Sequence, residues 1–361
     1  EAGPWLKGTA AQHAVWAHLF GLGPAAYRAR KGVTTDANGV FFVRCGRRVG
    51  DGLVEIANDP SLGRHPGLGT VRRAVEERHL FPLLRGQGIT LFSARPEAEH
   101  RILVPQRGMH GDRDLPRDSP GTHGFLERFR QVLEGRSSYR RFQRTKGAPY
   151  WSLWSTGPYT FSRFKVVWRE LSGGRFAAAY VGDVDDPVLG RKPVVPDHKV
   201  YFVPCETEDE AAFLAGFLNA PVVAEAVSSY AAQLSLGVSV VEYLRIPAFD
   251  GADREHRALS ALAREITARR PARLSAAERR ELDRRAARIL EIPAAVLREA
   301  HRALADRDLR RAETITAEPE RRDPPRRRTS RSAAGGAHQA PALPAAGADE
   351  VDHARRHRRG L

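Results

Sequence analysis

At 361 residues the chain is long enough for one large domain or two ordinary ones, and 58 Lys+Arg against 43 Asp+Glu give it a formal charge of +15. That balance favours polyanion partners, nucleic acid first and acidic membranes second, and no apolar run approaches the length of a membrane span. Cys45 and Cys205 lie 160 residues apart with no CxxC, which excludes a disulfide framework or zinc knuckle and fits a reducing cytoplasm.

Arginine carries nearly all of the positive charge, since only six of the 58 basic residues are Lys. Residues 319–361 hold ten Arg and five acids, a net of +5, which leaves +10 on residues 1–318. The sequence opens at Glu1 without a Met, so it is expected to be a fragment or one part of a longer polypeptide.

In chain order, residues 9–20 predict a short helix, followed by the basic stretch Tyr27-Arg28-Ala29-Arg30-Lys31-Gly32. Runs at 39–45 and 53–57, separated by Gly50-Asp51-Gly52, predict a hairpin. Residues 58–70 predict a loop, 71–76 an extended segment, 79–86 a compact apolar turn, and 89–94 and 101–105 two short strands. The polar stretch 106–121, rich in Gly, Asp and Pro, predicts a surface loop, and 122–134 has helical spacing. Strands follow at 163–169, 176–181 and 199–203. Thr207 with Glu210 predicts a capped helix start, a second helix covers 221–233, and 240–246 predicts one more strand closed by Pro247. Helices are expected at 253–269, 276–291 and 294–305, the second opened by Ser275 and Glu278. The residues from 318 onward lack periodicity and are expected to be disordered.

The stretch 150–170 holds seven of the chain's 28 aromatics and three of its five tryptophans, Trp151, Trp154 and Trp168. Gly157-Pro158 breaks it, and strict alternation after the break places Arg163, Lys165, Val167 and Arg169 on one face and Phe164, Val166 and Trp168 on the other. Such a strand suits either water or a phosphate backbone on its cationic side, while the tryptophans suit the core.

Absent motifs narrow the chemistry. There is no GxxxxGK[ST] loop, GxSxG elbow or HExxH, and Gly67-Leu68-Gly69-Thr70 lacks the third glycine of a dinucleotide fingerprint. His79, His100, His110 and His123 do not space like metal ligands, and His110-Gly111-Asp112-Arg113-Asp114 suits a polar loop. Asp183, Asp185 and Asp186 resemble nuclease acids without the Glu-x-Lys strand that should follow, and His198 with Cys205 lacks an orienting third group. Asp323-Pro324-Pro325-Arg326 is a chance match to an amino-methylation motif, because Arg replaces the aromatic that stacks on the flipped base. What remains is basic and aromatic residues interleaved, which suits phosphate and base contacts.

Six blocks in order then resemble a known family. They are Tyr27-Arg28-Ala29-Arg30-Lys31-Gly32-Val33-Thr34-Thr35 with the residues to Phe42, His79-Leu80-Phe81-Pro82-Leu83-Leu84-Arg85-Gly86, and the 150–170 block ending Phe164-Lys165-Val166-Val167-Trp168-Arg169-Glu170. Pro196-Asp197-His198-Lys199-Val200-Tyr201-Phe202, the helix ending Phe217-Leu218-Asn219, and Leu244-Arg245-Ile246-Pro247-Ala248-Phe249 complete the set. Together they resemble the target-recognition region that follows the catalytic domain in gamma-class adenine-N6 DNA methyltransferases and Type IIG restriction–modification proteins. The likeness covers about residues 27–305. The S-adenosylmethionine-binding glycine motif and the Asn/Asp-Pro-Pro-Tyr/Phe motif are missing, so methyl transfer is not assigned to these residues.

The resulting expectation is an α+β protein: a mixed-sheet DNA target-recognition domain over 1–250, a helical extension over 251–310, and a disordered Arg/Pro/Ala-rich tail over 311–361. The resemblance implies sequence-specific recognition of double-stranded DNA, positioning an adenine for a methyltransferase catalytic domain or subunit outside this chain. It implies no cofactor here, with S-adenosylmethionine bound by that catalytic part, a role of the kind that serves phage defence, and no membrane. Arg28, Arg30 and Lys31 are the expected phosphate contacts; Arg163, Lys165 and Arg169, with Lys199, are the expected groove-facing groups. The alternatives are an endonuclease subunit with a metal site at Asp183, Asp185 and Asp186, and a module that docks on a methyltransferase through residues 253–305.

Overall fold

The computed structural model describes residues 8–21, 25–63, 65, 67–170, 176–231, 237–269 and 274–303. The expected tail at 311–361 lies outside them. The strands are β1 (Arg30–Lys31), β2 (Phe42–Gly50), β3 (Leu53–Asn58), β4 (Arg72–Glu76), β5 (Leu80–Leu84), β6 (Ile89–Thr90), β7 (Ser93–Ala94) and β8 (His100–Leu103). After a helical stretch come β9 (Phe164–Arg169), β10 (Ala178–Val181), β11 (Val184–Asp186), β12 (Gly190–Lys192), β13 (Val195–Pro196) and β14 (Val200–Cys205).

Two sheets organise the fold. The six-stranded one has the order β13-β5-β8-β2-β3-β4, antiparallel except for the short parallel pair β13 and β5. β3 alternates as a half-buried strand should, turning Val54, Ile56 and Asn58 inward. Asn58 is satisfied there, donating to the carbonyls of Gly39 (2.9 Å) and Gly69 (3.1 Å) and accepting from the Val71 amide at 2.7 Å. The run at 79–86, which predicts a turn, is instead built around β5, buried along its whole length. Both of its faces are covered, so it shows no alternation to mark it as a strand.

The four-stranded antiparallel sheet has the order β1-β14-β9-β10. Val166, Trp168, Ala178, Tyr201 and Val203 pack against the helix Glu208–Asn219, every residue of which is buried from Ala211 onward. Thr207 caps that helix, its hydroxyl accepting from the Glu210 amide at 3.1 Å. At the other end Asn219 accepts from the Ala178 amide at 2.9 Å and donates to the Ala178 carbonyl at 2.7 Å, tying the helix to the edge strand. Helices Arg254–Ala268 and Ala276–Ile289 add Leu259, Ala263, Ile266, Leu282 and Ala286 to the same core. The expected division at residue 250 therefore separates no core, and the described residues on both sides of it belong to one compact unit. Gly216 permits the close approach, since a Cβ there would lie 3.1 Å from Leu259 Cδ1.

Two further expectations need correction. The run at 240–246 is not a strand: Ser239–Glu242 forms a helical turn that buries Val240 and Val241, and only Leu244 pairs as extended chain, with Phe20. Packing against helices overrides the strand preference of β-branched residues. The stretch 106–121 is not simply surface loop, because Gln106, Gly111, Leu115 and Ser119 are buried and the helix Pro120–Glu127 starts within it. The folded core as described is α+β with a mixed sheet and C-terminal helices. No single helix among the described residues is long and apolar enough to cross a membrane.

Candidate nucleic-acid interface

The residues nominated from sequence gather along β1, β9 and β14. Arg28 is exposed, and the Arg30 guanidinium stands 4.6 Å over the Tyr159 ring. Lys31 and Lys199 both reach Glu170, at 3.1 and 2.7 Å. Burial pushes the Glu170 carboxyl up, but the hydrogen bonds from Lys199 and Lys31 outweigh it and hold the group below the usual carboxylate range. Gly32 then packs on the Asp197 carbonyl so closely that a Cβ has no room. Asp197 itself is buried, and burial raises its carboxyl to about 6 against the opposing pull of the Lys199 amide and Arg85.

β9 does not present a cationic face. Lys165 is 1% exposed, its ammonium donating to the Ser162 carbonyl, and burial drives it down to about 7 against the charge of Asp183. Alternation does place Lys165 and Val167 on one side of the sheet. That side, however, meets Leu84, Ile89 and Val194 rather than water. Period-two patterning cannot distinguish solvent from a second apolar layer, and Lys165 is corrected from groove-facing to internal. Arg163 is exposed, with its Nε 3.7 Å from Asp183, an acid it shares with Arg191 at 3.9 Å. Arg169 is half-buried, and a Cβ on Gly86 would sit 3.4 Å from its Cγ. Trp151 and Trp168 are core, as expected, whereas Trp154 is half-buried and pairs with Thr34.

The three acids offered as a metal site pair with arginines instead, Arg191 lying within 4.0 Å of both Asp183 and Asp185. Asp183 faces Arg163 and Arg191, Asp185 is exposed, and Asp186 pairs with Arg101 while accepting from the Val188 and Leu189 amides at 2.9 and 3.0 Å. Among the described residues no group of three His, Cys, Asp or Glu side chains is placed to hold a metal ion.

A further cationic surface lies apart from the residues that the sequence motifs nominate. From Gly135 to Arg169 the sequence has no acid in 35 residues and eight Lys or Arg, a charge bias visible without any structure. Its first part folds as a wide helical turn, Tyr139–Gln143, then a tight turn, Arg144–Lys146, closed by Gly147 at φ 65°, which glycine adopts without strain. Arg140, Arg141, Arg144 and Lys146 are exposed, and among the described residues none of the four forms an ion pair.

A buried scaffold fixes this turn. Arg136, 2% exposed, donates to the carbonyls of Leu133 (3.1 Å), Thr35 (2.7 Å), Tyr150 (2.6 Å) and Ser152 (2.9 Å). The Ser138 amide donates to Asp36 at 3.1 Å, and Tyr139 donates to the Ala148 carbonyl at 3.1 Å. Gln143 donates to the Leu153 carbonyl at 3.1 Å and meets His110 Nδ1 at 2.8 Å. Phe142 lies on Trp154. The strand-like segment after Lys31 links this scaffold to the first group of cations, because Thr34 pairs with Trp154 and Thr35 receives Arg136. Exposed cations on a rigid backbone can meet phosphates without first ordering a loop.

No protein-family profile matches the chain. Over 164 residues it is 29% identical to the Type II methyltransferase M.NspV of Nostoc sp. (strain ATCC 29411 / PCC 7524), covering 45% of this chain and 32% of that protein. A solved structure described as the Type IIL restriction-modification enzyme MmeI in complex with DNA aligns over 84% of this chain and 37% of its own, with a TM-score of 0.42 and 10% identity. The chain thus spans about a third of the length of the methyltransferase it matches, and it is similar to part of that Type II methyltransferase.

Proposed function

We propose that this chain is the DNA target-recognition part of a site-specific adenine-N6 methyltransferase or restriction–modification enzyme, acting in the cytoplasm and in defence against phage. The observation that carries the reading is the rigid turn presenting Arg140, Arg141, Arg144 and Lys146, which have no acid partners among the described residues. Supporting it are the six ordered sequence blocks and the partial identity to a Type II methyltransferase. Arg28, Arg30, Lys31 and Lys199 extend the phosphate-contacting set, with Arg163 and Arg169 beside them; Lys165 is a structural residue.

The glycine-containing segment Gly67-Leu68-Gly69-Thr70 does not suit S-adenosylmethionine. It leads into the sheet-edge strand β4, not onto a helix N-terminus that could receive a cofactor's charged groups. The cofactor and the methyl transfer belong to a catalytic domain or subunit outside this sequence. The test is selection of bound duplexes from a random-sequence pool by the full chain. One enriched motif containing adenine is expected, and recovery of the input distribution would contradict sequence-specific recognition.

A further inference from the structure

Among the large apolar side chains described as exposed, Met109 is the most open, at 63% against 42% for Val49 and 38% for Tyr243. It is also the only methionine in the chain. An apolar group in that position gains nothing from folding, so its surroundings decide what it does.

Those surroundings are held by hydrogen bonds, and they adjoin the basic turn although exposed Asp112 and Asp114 stand beside Arg113. Gln106, 2% exposed, holds one side of the loop, donating to the carbonyls of Gly108 (3.0 Å) and Leu153 (3.2 Å) and accepting from the Leu153 amide at 2.7 Å. On the other side the Gly111 amide donates to Ser152 Oγ at 2.8 Å, His110 meets Gln143, and Trp151 donates to the Asp112 carbonyl at 3.1 Å. Gly111 allows this seat, since a Cβ would lie 2.6 Å from Trp151 Cδ1. Arg107 is exposed with its guanidinium 4.6 Å over Phe161, and Arg113 donates to the Gly147 carbonyl at 3.1 Å. The loop is thereby bonded to the same turn that carries Arg140, Arg141, Arg144 and Lys146.

We propose that loop 107–110 is a base-reading finger in which Met109 makes an apolar contact with the C5-methyl of a thymine in the major groove. The flanking cations hold phosphates, and the unbranched, polarizable thioether fits itself to the base edge. The inference rests on the duplex-recognition reading and deepens it by naming what one loop reads.

The experiment repeats the random-duplex selection with the full chain and with Met109→Ala, then compares thymine with uracil at the position whose preference changes. The variant should bind duplex with an unchanged salt dependence yet lose preference at one or two positions. Uracil should weaken wild-type binding about three- to fivefold and leave the variant unaffected. An unchanged preference in Met109→Ala, or equal sensitivity of both proteins to uracil, overturns the finger while leaving duplex recognition intact. Failure of the wild-type chain to select any sequence instead removes the recognition reading, and the finger with it.

Discussion

Phe142 stacks on Trp154, with ring centroids 5.0 Å apart and planes 27° from parallel. The pair clamps the middle of the basic turn to the extended chain that Trp154 forms with Thr34. Offset aromatic pairs of this kind contribute about 0.5–1.5 kcal/mol beyond area burial. Phe142→Ala is expected to loosen the turn while sparing the core, so duplex affinity should fall several-fold with a melting shift of only a few degrees. Unchanged affinity measured by fluorescence anisotropy would separate the turn from DNA binding.

Arg136 holds the floor of the same region through four backbone carbonyls. Burial pushes its guanidinium down to about 10, which leaves it charged at neutral pH. Arg136→Met should destabilise the protein by about 3–5 kcal/mol, because the carbonyls lose charge-assisted donors inside the fold. Arg136→Lys should recover little, since one ammonium cannot reproduce the planar fork. Denaturant unfolding checks both, and a loss under about 1 kcal/mol in Arg136→Met would show that water or neighbours replace the donors.

The hairpin of β2 and β3, β9 with its aromatic partners, and the capped helices at 208 and 276 were legible because each shows a local signal: turn residues, alternation or a cap. What the sequence hid is set by the layers around each element. β5 looked like a turn because it is covered on both faces, and Lys165 looked like a surface group because its covering layer comes from Leu84, Ile89 and Val194, distant in the chain. The basic turn was missed for a different reason. It contains no catalytic motif, and its acid-free charge run takes on meaning only when Arg136 and Trp154 are seen to fix it.

Lys165 gives stability a pH signature. Its ordinary value is 10.5, and in the fold burial lowers it to about 7. Between those values the unfolded chain holds a proton that the folded chain has released, so this group makes stability rise with pH from about 7 to about 10.5. Below 7 both states are protonated and its contribution is flat. Lys165→Met should abolish the rise relative to wild type and leave duplex affinity unchanged. Parallel pH profiles of stability for the two proteins would mean that the amine is solvated after all.

Glu170 restrains two cations at once. Glu170→Gln should free Lys31 and Lys199, raising duplex affinity about two- to fivefold at low salt and steepening the salt dependence by about one unit for each lysine that reaches a phosphate. No change in either quantity would place both lysines outside the footprint.

The central claim is that the turn at 140–146 meets the phosphate backbone, and the salt dependence of duplex affinity tests it most directly. For the full chain, log affinity should fall linearly with log salt, and alanine at Arg140, Arg141, Arg144 and Lys146 together should lower the slope by about three to four units without changing the melting temperature. A wild-type line that is flat, or one whose slope the four substitutions leave intact, would contradict the account.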